Sequence, residues 1–178
     1  MTRRALDALY AASAGLAALS LFGIFAVMMA QMALRQFDRQ FPGSDDLSAY
    51  FCAGTTFFAL AATFKRGELI RVGMGLDRLG PGARRWAELL ALTLAALVVG
   101  YMTWWTARDM LFSLEIEEVA QGTVPYPLWV PKLVMPLGAG LLLVAILDEW
   151  VAVLAGRIPA YVVAAEERAA RGDFSAEV

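Results

Sequence analysis

Residues 41–72, FPGSDDLSAYFCAGTTFFALAATFKRGELIRV, decide the class of fold. The run Leu47–Phe64 at their centre carries no charge. As an α-helix it is about 27 Å long, close to the thickness of the hydrocarbon core of a bilayer. Two aspartates precede this run and Lys65-Arg66 follows it, as the helix dipole favours. The stretch therefore predicts a transmembrane helix that begins near Ser44, a candidate N-cap residue.

The composition of the whole chain is that of a membrane protein. Hydrophobic residues make up 60% of its 178 residues, whereas a soluble domain of this size needs more polar surface. The net charge of −2 provides no basic field for nucleic acid. The chain has no histidine and one cysteine, Cys52, which excludes histidine-ligated metal sites, histidine bases and an intrachain disulfide. We therefore expect neither an enzyme nor a cofactor.

Three more uncharged runs accompany the first, at Ala8–Leu34, Leu89–Ala107 and Leu133–Leu147. A cleaved signal peptide is the alternative for the first run, but that run is longer than the roughly 7–15 apolar residues of a signal peptide. A retained helix fits better. The pattern predicts a four-span membrane domain over residues 1–155 and a polar cytoplasmic tail over 156–178. The predicted spans are about 8–34, 47–64, 86–107 and 131–154.

The predicted fold class is an all-α membrane protein, a bundle of four transmembrane helices. The basic loop 65–88 has apolar residues at helical spacing, which predicts a short helix lying in the membrane interface. They are Leu69, Val72, Leu76 and Leu79.

The distribution of Lys and Arg predicts the orientation. Eleven of these residues lie in the N-terminal segment, the 65–88 loop and the tail, against four in the other two connections. Because Lys and Arg are retained in the cytoplasm, both termini are predicted to be cytoplasmic. The residues expected to mark the two membrane interfaces are Arg35, Trp86, Trp104, Trp105, Trp129 and Trp150.

The uncharged runs contain no candidate transport path. A self-sufficient four-helix exporter, the main alternative function, needs a membrane-embedded carboxylate for proton coupling, and none of the runs holds one. Only Pro136 interrupts a run. We expect the Ser and Thr residues inside the runs to bond to their own helix or to a neighbouring one.

The chain resembles the small membrane subunit, of DctQ type, of tripartite ATP-independent periplasmic (TRAP) transporters over about residues 8–155. The resemblance is carried by Arg35 after the first span, by FPGSDDLSAY and KRGELIRV around the second, and by VPYPLWVPKLVMPLG before the fourth. Relatives often carry a His and then an Asp after the second span, where this chain has Leu69 and Gly73.

The resemblance implies an accessory subunit of a multi-pass complex in the bacterial inner membrane. Such a subunit pairs with a large permease subunit, which holds the sodium sites, and a periplasmic binding protein delivers an organic acid. The chain itself is then expected to form a scaffold within a one-to-one heterodimer and to lie in contact with lipid.

Two sets of residues are candidates for contacts with these partners. The acidic residues of the outer loops are candidates for docking the binding protein, with simple solvation as the alternative: Asp45, Asp46, Glu115, Glu117 and Glu118. Small residues, which allow close helix approach, are candidates for packing against the permease: Ala11, Gly15, Ala18, Gly138 and Gly140.

Overall fold

The computed structural model describes residues 2–67, 80–122, 124–156 and 161–163. Its helices are α1 (Thr2–Arg35), α2 (Ser44–Arg66), α3 (Pro81–Glu115), α4 (Trp129–Lys132) and α5 (Val134–Leu154). The α4–α5 pair forms one span, so four helical segments are long and apolar enough to cross a membrane, which confirms the predicted class. The helix predicted in the 65–88 loop falls on residues 68–79, outside the described residues, as does most of the tail.

The start of α2 differs from the prediction by one residue. Gly43, rather than Ser44, is the cap, and its φ of 76° lies in the left-handed region that glycine adopts without strain. Ser44 is buried as the first helical residue, and its carbonyl accepts a hydrogen bond from Ser48 Oγ at 2.8 Å. The other end of α2 has a glycine cap as well, because Gly67 has a φ of 65° and its N–H donates to the Phe64 carbonyl at 3.1 Å.

The fourth span is broken near its start by a proline. The proline ring at Pro136 clashes with a helical carbonyl four residues earlier, that of Lys132, and α4 ends at this residue. The chain passes through Leu133 and enters α5 at Val134. The predicted span therefore forms, but as a short helix followed by a long one.

Helix α3 extends beyond the predicted membrane span at both ends. The predicted range was 86–107, and the helix runs from Pro81 to Glu115. Pro81 occupies the first turn, where a missing N–H has no cost. A helix of this length is about 50 Å long, well beyond the hydrocarbon core. Part of α3 must therefore lie outside that core.

The four long helices form an open row in the order α1, α2, α5, α3. Helix α1 packs along α2, α2 along α5, and α5 along α3, while α1 and α3 do not pack along each other. Burial follows the same order, because 28% of the α2 span is buried but only 6% of the α3 span. The bundle thus has two central helices, α2 and α5, and two edge helices, α1 and α3.

Small residues set the distances between the helices of the row. A Cβ on Gly138 would lie 2.6 Å from the carbonyl oxygen of Phe57, so α5 touches the backbone of α2. Between α1 and α2, the Ser13 hydroxyl donates to the carbonyl of Phe58. The row is also joined at one end by a shared apolar cluster: Tyr10, Ala61, Phe64, Leu92, Ala145, Ile146, Val153 and Tyr161.

The threonines inside the spans are bonded to their own helices, as expected. Each hydroxyl donates to a carbonyl of the preceding turn, at 2.7 to 3.2 Å. The residues are Thr55, Thr56, Thr63, Thr93, Thr103 and Thr106. These hydroxyls are therefore satisfied within the chain without a ligand.

Candidate functional site

The two ends of the row differ, and each end has ion pairs and hydrogen bonds between its elements. We call the end where α1 and α3 begin and α2 and α5 finish the lower end, and the opposite end the upper end. The predicted docking residues all lie at the upper end, where α2 begins and α3 finishes.

The connection between α3 and α4 is folded back on itself at the upper end. Val119 and Pro127 form an antiparallel bridge. The N–H of Ala120 donates to the carbonyl of Tyr126, and the N–H of Leu128 to that of Glu118, both at 2.9 Å. The connection therefore holds a defined shape through its own backbone, as the proline-rich sequence suggests.

Lys132 ties this connection to the helices on either side. Its Nζ lies 2.8 Å from Glu118 Oε2 and 3.1 Å from Asp109 Oδ2, near the end of α3. The hydrogen bond from Lys132 lowers the pKa of Glu118 below its usual value. Glu118 is thus held as a carboxylate that is already paired within the chain.

A second contact joins the connection to the first turns of α2. The rings of Tyr50 and Tyr126 meet edge to face, with centroids 5.6 Å apart, and burial together with the neighbouring Tyr50 hydroxyl raises the pKa of Tyr126. Gly122 lies against the carboxylate of Asp46, so closely that a Cβ there would overlap it. The upper end is therefore one assembled surface made from α2, α3 and α4.

The five predicted docking residues have different environments on this surface. Glu118 is paired with Lys132, and Asp46 is half-buried against Gly122. The other three are exposed: Asp45, Glu115 and Glu117. Glu117 adopts a left-handed conformation with a φ of 50° at the point where the chain leaves α3. The structure thus brings the acidic residues to one end but leaves three of them available to a partner.

The lower end holds an ion cluster that sequence reasoning missed. Lys65 Nζ, at the end of α2, contacts the carboxylate of Asp148 and lies 2.6 Å from Glu149 Oε1, on α5. The same ammonium lies 5.3 Å from the ring centre of Tyr10, on α1. Only 1% of Glu149 is exposed. This cluster links three helices through one half-buried cation.

A signal for this cluster was present in the sequence. The predicted topology puts the ends of the second and fourth spans on the same side of the membrane. It therefore places Lys65 and the pair Asp148-Glu149 at a similar depth. Whether the helices that carry them are neighbours depends on the packing order, and the uniformly apolar spans do not show it.

The lower end is reinforced by two further side-chain bonds between α3 and α5. Trp150 Nε1 donates to Thr93 Oγ1 at 3.0 Å. Arg85 donates to the carbonyl of Leu154 at 2.9 Å, one of the carbonyls that the end of α5 leaves without a helical partner. Trp150 is thus half-buried between helices, while Trp86, Trp104 and Trp105 on α3 are exposed.

The small residues proposed for partner packing fall into two groups. Gly138 is enclosed by Phe57, and a Cβ on Gly140 would lie 3.8 Å from Thr103 Cγ2, so both lie between helices of this chain. On α1, Ala11, Gly15 and Ala18 are exposed, and a Cβ on Gly15 would meet no atom within 4 Å. Only the α1 group therefore offers a free surface.

The remaining predicted anchors lie near the upper end. Arg35 is exposed in the last turn of α1, and Trp129 is half-buried at the start of α4.

A comparison with protein families gives a match that covers most of the chain. The model described as "Tripartite ATP-independent periplasmic transporters, DctQ component" matches residues 24–156, which is more than half of the chain. A comparison with curated proteins finds no match. The matched segment runs from the middle of α1 to just beyond α5 and so includes all of α2, α3 and α4.

Proposed function

Because the chain belongs to the DctQ family of tripartite ATP-independent periplasmic transporter components, we propose that it is the fixed scaffold of a sodium-coupled importer of an organic acid. It pairs one-to-one with a large permease subunit, which holds the sodium and substrate sites. Both subunits lie in the bacterial inner membrane, and the termini of this chain are cytoplasmic.

The open row of helices is the observation that best supports this role. A row has two edges and two broad faces, and its edge helices bury little of their surface within the chain. Large apolar side chains are exposed along both edges, such as Phe22 on α1 and Leu97 on α3. Such a row presents a wide apolar wall that lipid or a partner helix covers.

The charged residues of the row suit a scaffold better than a carrier. The uncharged middle of each span leaves the ion pairs at the two ends, where they join neighbouring helices. Paired charges of this kind hold helices in register. A carrier, in contrast, needs ionisable or unwound sites at membrane depth.

Reconstitution in liposomes tests the proposal. We expect sodium-driven uptake of the organic acid when this chain is combined with its large subunit and the binding protein, and no uptake by this chain alone. The three proteins together, with the sodium gradient collapsed, are the control. Uptake by this chain without the large subunit contradicts the scaffold role.

The upper end supplies a docking surface for the binding protein in this proposal. Of its exposed acidic residues, Glu115 ends α3, and Glu117 lies on the connection that is held by its own backbone bonds and by Lys132. Charges on a rigid surface steer an incoming partner without a cost for ordering the loop. The partner's surface is then expected to be basic where it meets Glu115 and Glu117.

Charge reversal tests this docking surface. Glu115→Lys with Glu117→Lys is expected to slow delivery at low salt, and added salt should reduce the difference from wild type. Asp38→Lys is the matched control, because Asp38 is also an exposed acidic residue with positive φ but follows α1. Delivery by the double variant that equals wild type at low salt removes these residues from the interface.

A further inference from the structure

The contacts between neighbouring helices show which residues lie level with one another across the row. Between α1 and α2, Ser20 meets Gly54. Between α2 and α5, Phe57 meets Gly138. Between α5 and α3, Leu143 meets Gly100 and Gly140 meets Thr103. The Trp150–Thr93 bond repeats the register of α5 and α3 further down.

When the helices are aligned by these contacts, the centres of their uncharged runs do not lie at the same height. The run in α1 is centred on Leu21, which lies level with Cys52 or Ala53 of α2, but the run in α2 is centred between Thr55 and Thr56. The centre of the α2 run is therefore about three residues, or about 5 Å, closer to the lower end.

We call the displacement of the run centre from one helix to the next a step. The steps at the next two helix pairs along the row have the same direction. The centre of the α2 run lies level with residues 136–137 of α5, whereas the α5 run is centred on Gly140. Gly140 lies level with Thr103 of α3, whereas the α3 run is centred on Val98. These two steps are about three and about five residues, again toward the lower end.

The tryptophans show the same displacement independently of the charges. In the register of α5 and α3, Trp150 lies level with Thr93, but the lower tryptophan of α3 is Trp86. Trp129 lies level with the last turn of α3, but the upper tryptophans of α3 are Trp104 and Trp105. Since Trp residues concentrate at the interfaces, both interfaces cross α3 nearer to its lower end.

We infer that the row lies obliquely in the bilayer. From α1 to α3, the hydrocarbon core then crosses each successive helix of the row at a position nearer to its lower end. The three steps together amount to about 17 Å at about 1.5 Å per residue. Three spacings of about 9 Å separate α1 from α3 along the row. The corresponding helix tilt is about 30°, within the range found for membrane helices.

The oblique position explains the place of the upper ion cluster. In the register of the row, Lys132 and Asp109 lie level with residues 51–53 of α2, inside its uncharged run. An upright row would hold this charged pair, of which Asp109 is exposed, at the level of the apolar part of α2. The tilt raises Asp109 toward the upper interface, because it follows the end of the α3 run by two residues, and the pair then lies at the water boundary.

Depth measurements on pairs of level residues test the inference. Leu9 on α1 lies level with Leu97 on α3, and Phe22 lies level with Leu111; all four side chains are exposed. A nitroxide label is attached to a single cysteine at each position in the full chain, in a Cys52→Ser background. The chain is placed in phosphatidylethanolamine–phosphatidylglycerol vesicles, and depth is read from the relative access of oxygen and a water-soluble nickel complex.

An oblique row predicts that the deeper label is on α3 in the first pair and on α1 in the second pair. Leu97 and Phe22 lie within one residue of the centres of their runs, and their labels should be deep. Leu9 and Leu111 lie twelve and thirteen residues from those centres, and their labels should be shallower by about 15 Å. An upright row gives equal depths within each pair.

Either equal depths or the opposite order in a correctly folded pair overturns the inference. Far-UV circular dichroism identifies labelled variants that have lost helix, and the two pairs are independent, so one folded pair decides the result. Val98, which is exposed beside Leu97, is the second labelling position for the deep site on α3. The outcome does not depend on the proposed transport function, because the measurement needs neither partner nor substrate.

Discussion

Removal of the lower-end cation is the most informative test of how this row is held together. The variant is Lys65→Met, which keeps an unbranched side chain of similar length and deletes the charge. In the structure the ammonium bonds to Asp148 and lies 2.6 Å from Glu149 Oε1, with 18% of the lysine side chain exposed. Glu149 would lose this cation while remaining almost fully buried.

The expected loss of stability follows from this burial. Breaking a buried ion pair by removing one partner costs about 3–5 kcal/mol. The lower value applies here, because 36% of the Asp148 side chain is exposed and water can solvate it. For a chain of this size, each kcal/mol of lost stability lowers the unfolding midpoint by about 2–4 °C. We therefore expect the unfolding midpoint in detergent to fall by roughly 6–12 °C.

Two further variants identify the cause. Arg39→Met removes an exposed cation from the loop after α1 and should change the midpoint little. Glu149→Gln added to Lys65→Met should recover part of the loss, because it removes the carboxylate whose cation was deleted. The measurement is thermal unfolding followed by circular dichroism or tryptophan fluorescence. A midpoint for Lys65→Met that equals that of Arg39→Met refutes the reasoning.

Three other predictions concern orientation, packing and pH. Reporter fusions should be active in the cytoplasm at Gly80 and in the periplasm at Gly122, and the reverse result contradicts the Lys and Arg distribution. Gly138→Leu should lower the unfolding midpoint of this chain, because its side chain would enter the α2 backbone. Gly15→Leu should leave that midpoint unchanged and reduce co-purification of the permease; an equal loss of stability in both variants disproves the distinction. Because the pKa of Glu118 is lowered in the folded chain, its pairing stabilises the fold above its ordinary carboxyl pKa and is lost as pH falls through the lowered value. Unfolding midpoints at pH 7 and below pH 4.5, the ordinary value, should therefore differ more in wild type than in Glu118→Gln, and equal differences count against the pair.

The structure alters the significance of several residues that the sequence had marked alike. Gly15 and Gly138 are both small residues in apolar spans, yet one faces outward and the other touches Phe57. Glu117 and Glu118 are adjacent acids, yet only the second is bonded to Lys132. In both cases the difference arises from which helix lies beside the residue, which no local pattern encodes.

The helical class and the presence of four long apolar helices followed from the sequence alone. In lipid the backbone has to satisfy its hydrogen bonds within each segment, so a long uncharged run has one available structure. The limits of the runs also placed Lys65 and Glu149 at the same end. Even the one-residue difference at Gly43 concerns the cap and leaves the helix in place.

The order of the helices was decided only by the tertiary structure. In a soluble protein an apolar stripe shows which face of a helix is buried, but these spans are apolar on nearly every side. Their association depends on shape and on a few bonds between helices. Contacts such as Gly138 on Phe57 and Lys65 with Glu149 hold α2 and α5 together at the centre of the row, and α1 and α3 form its edges.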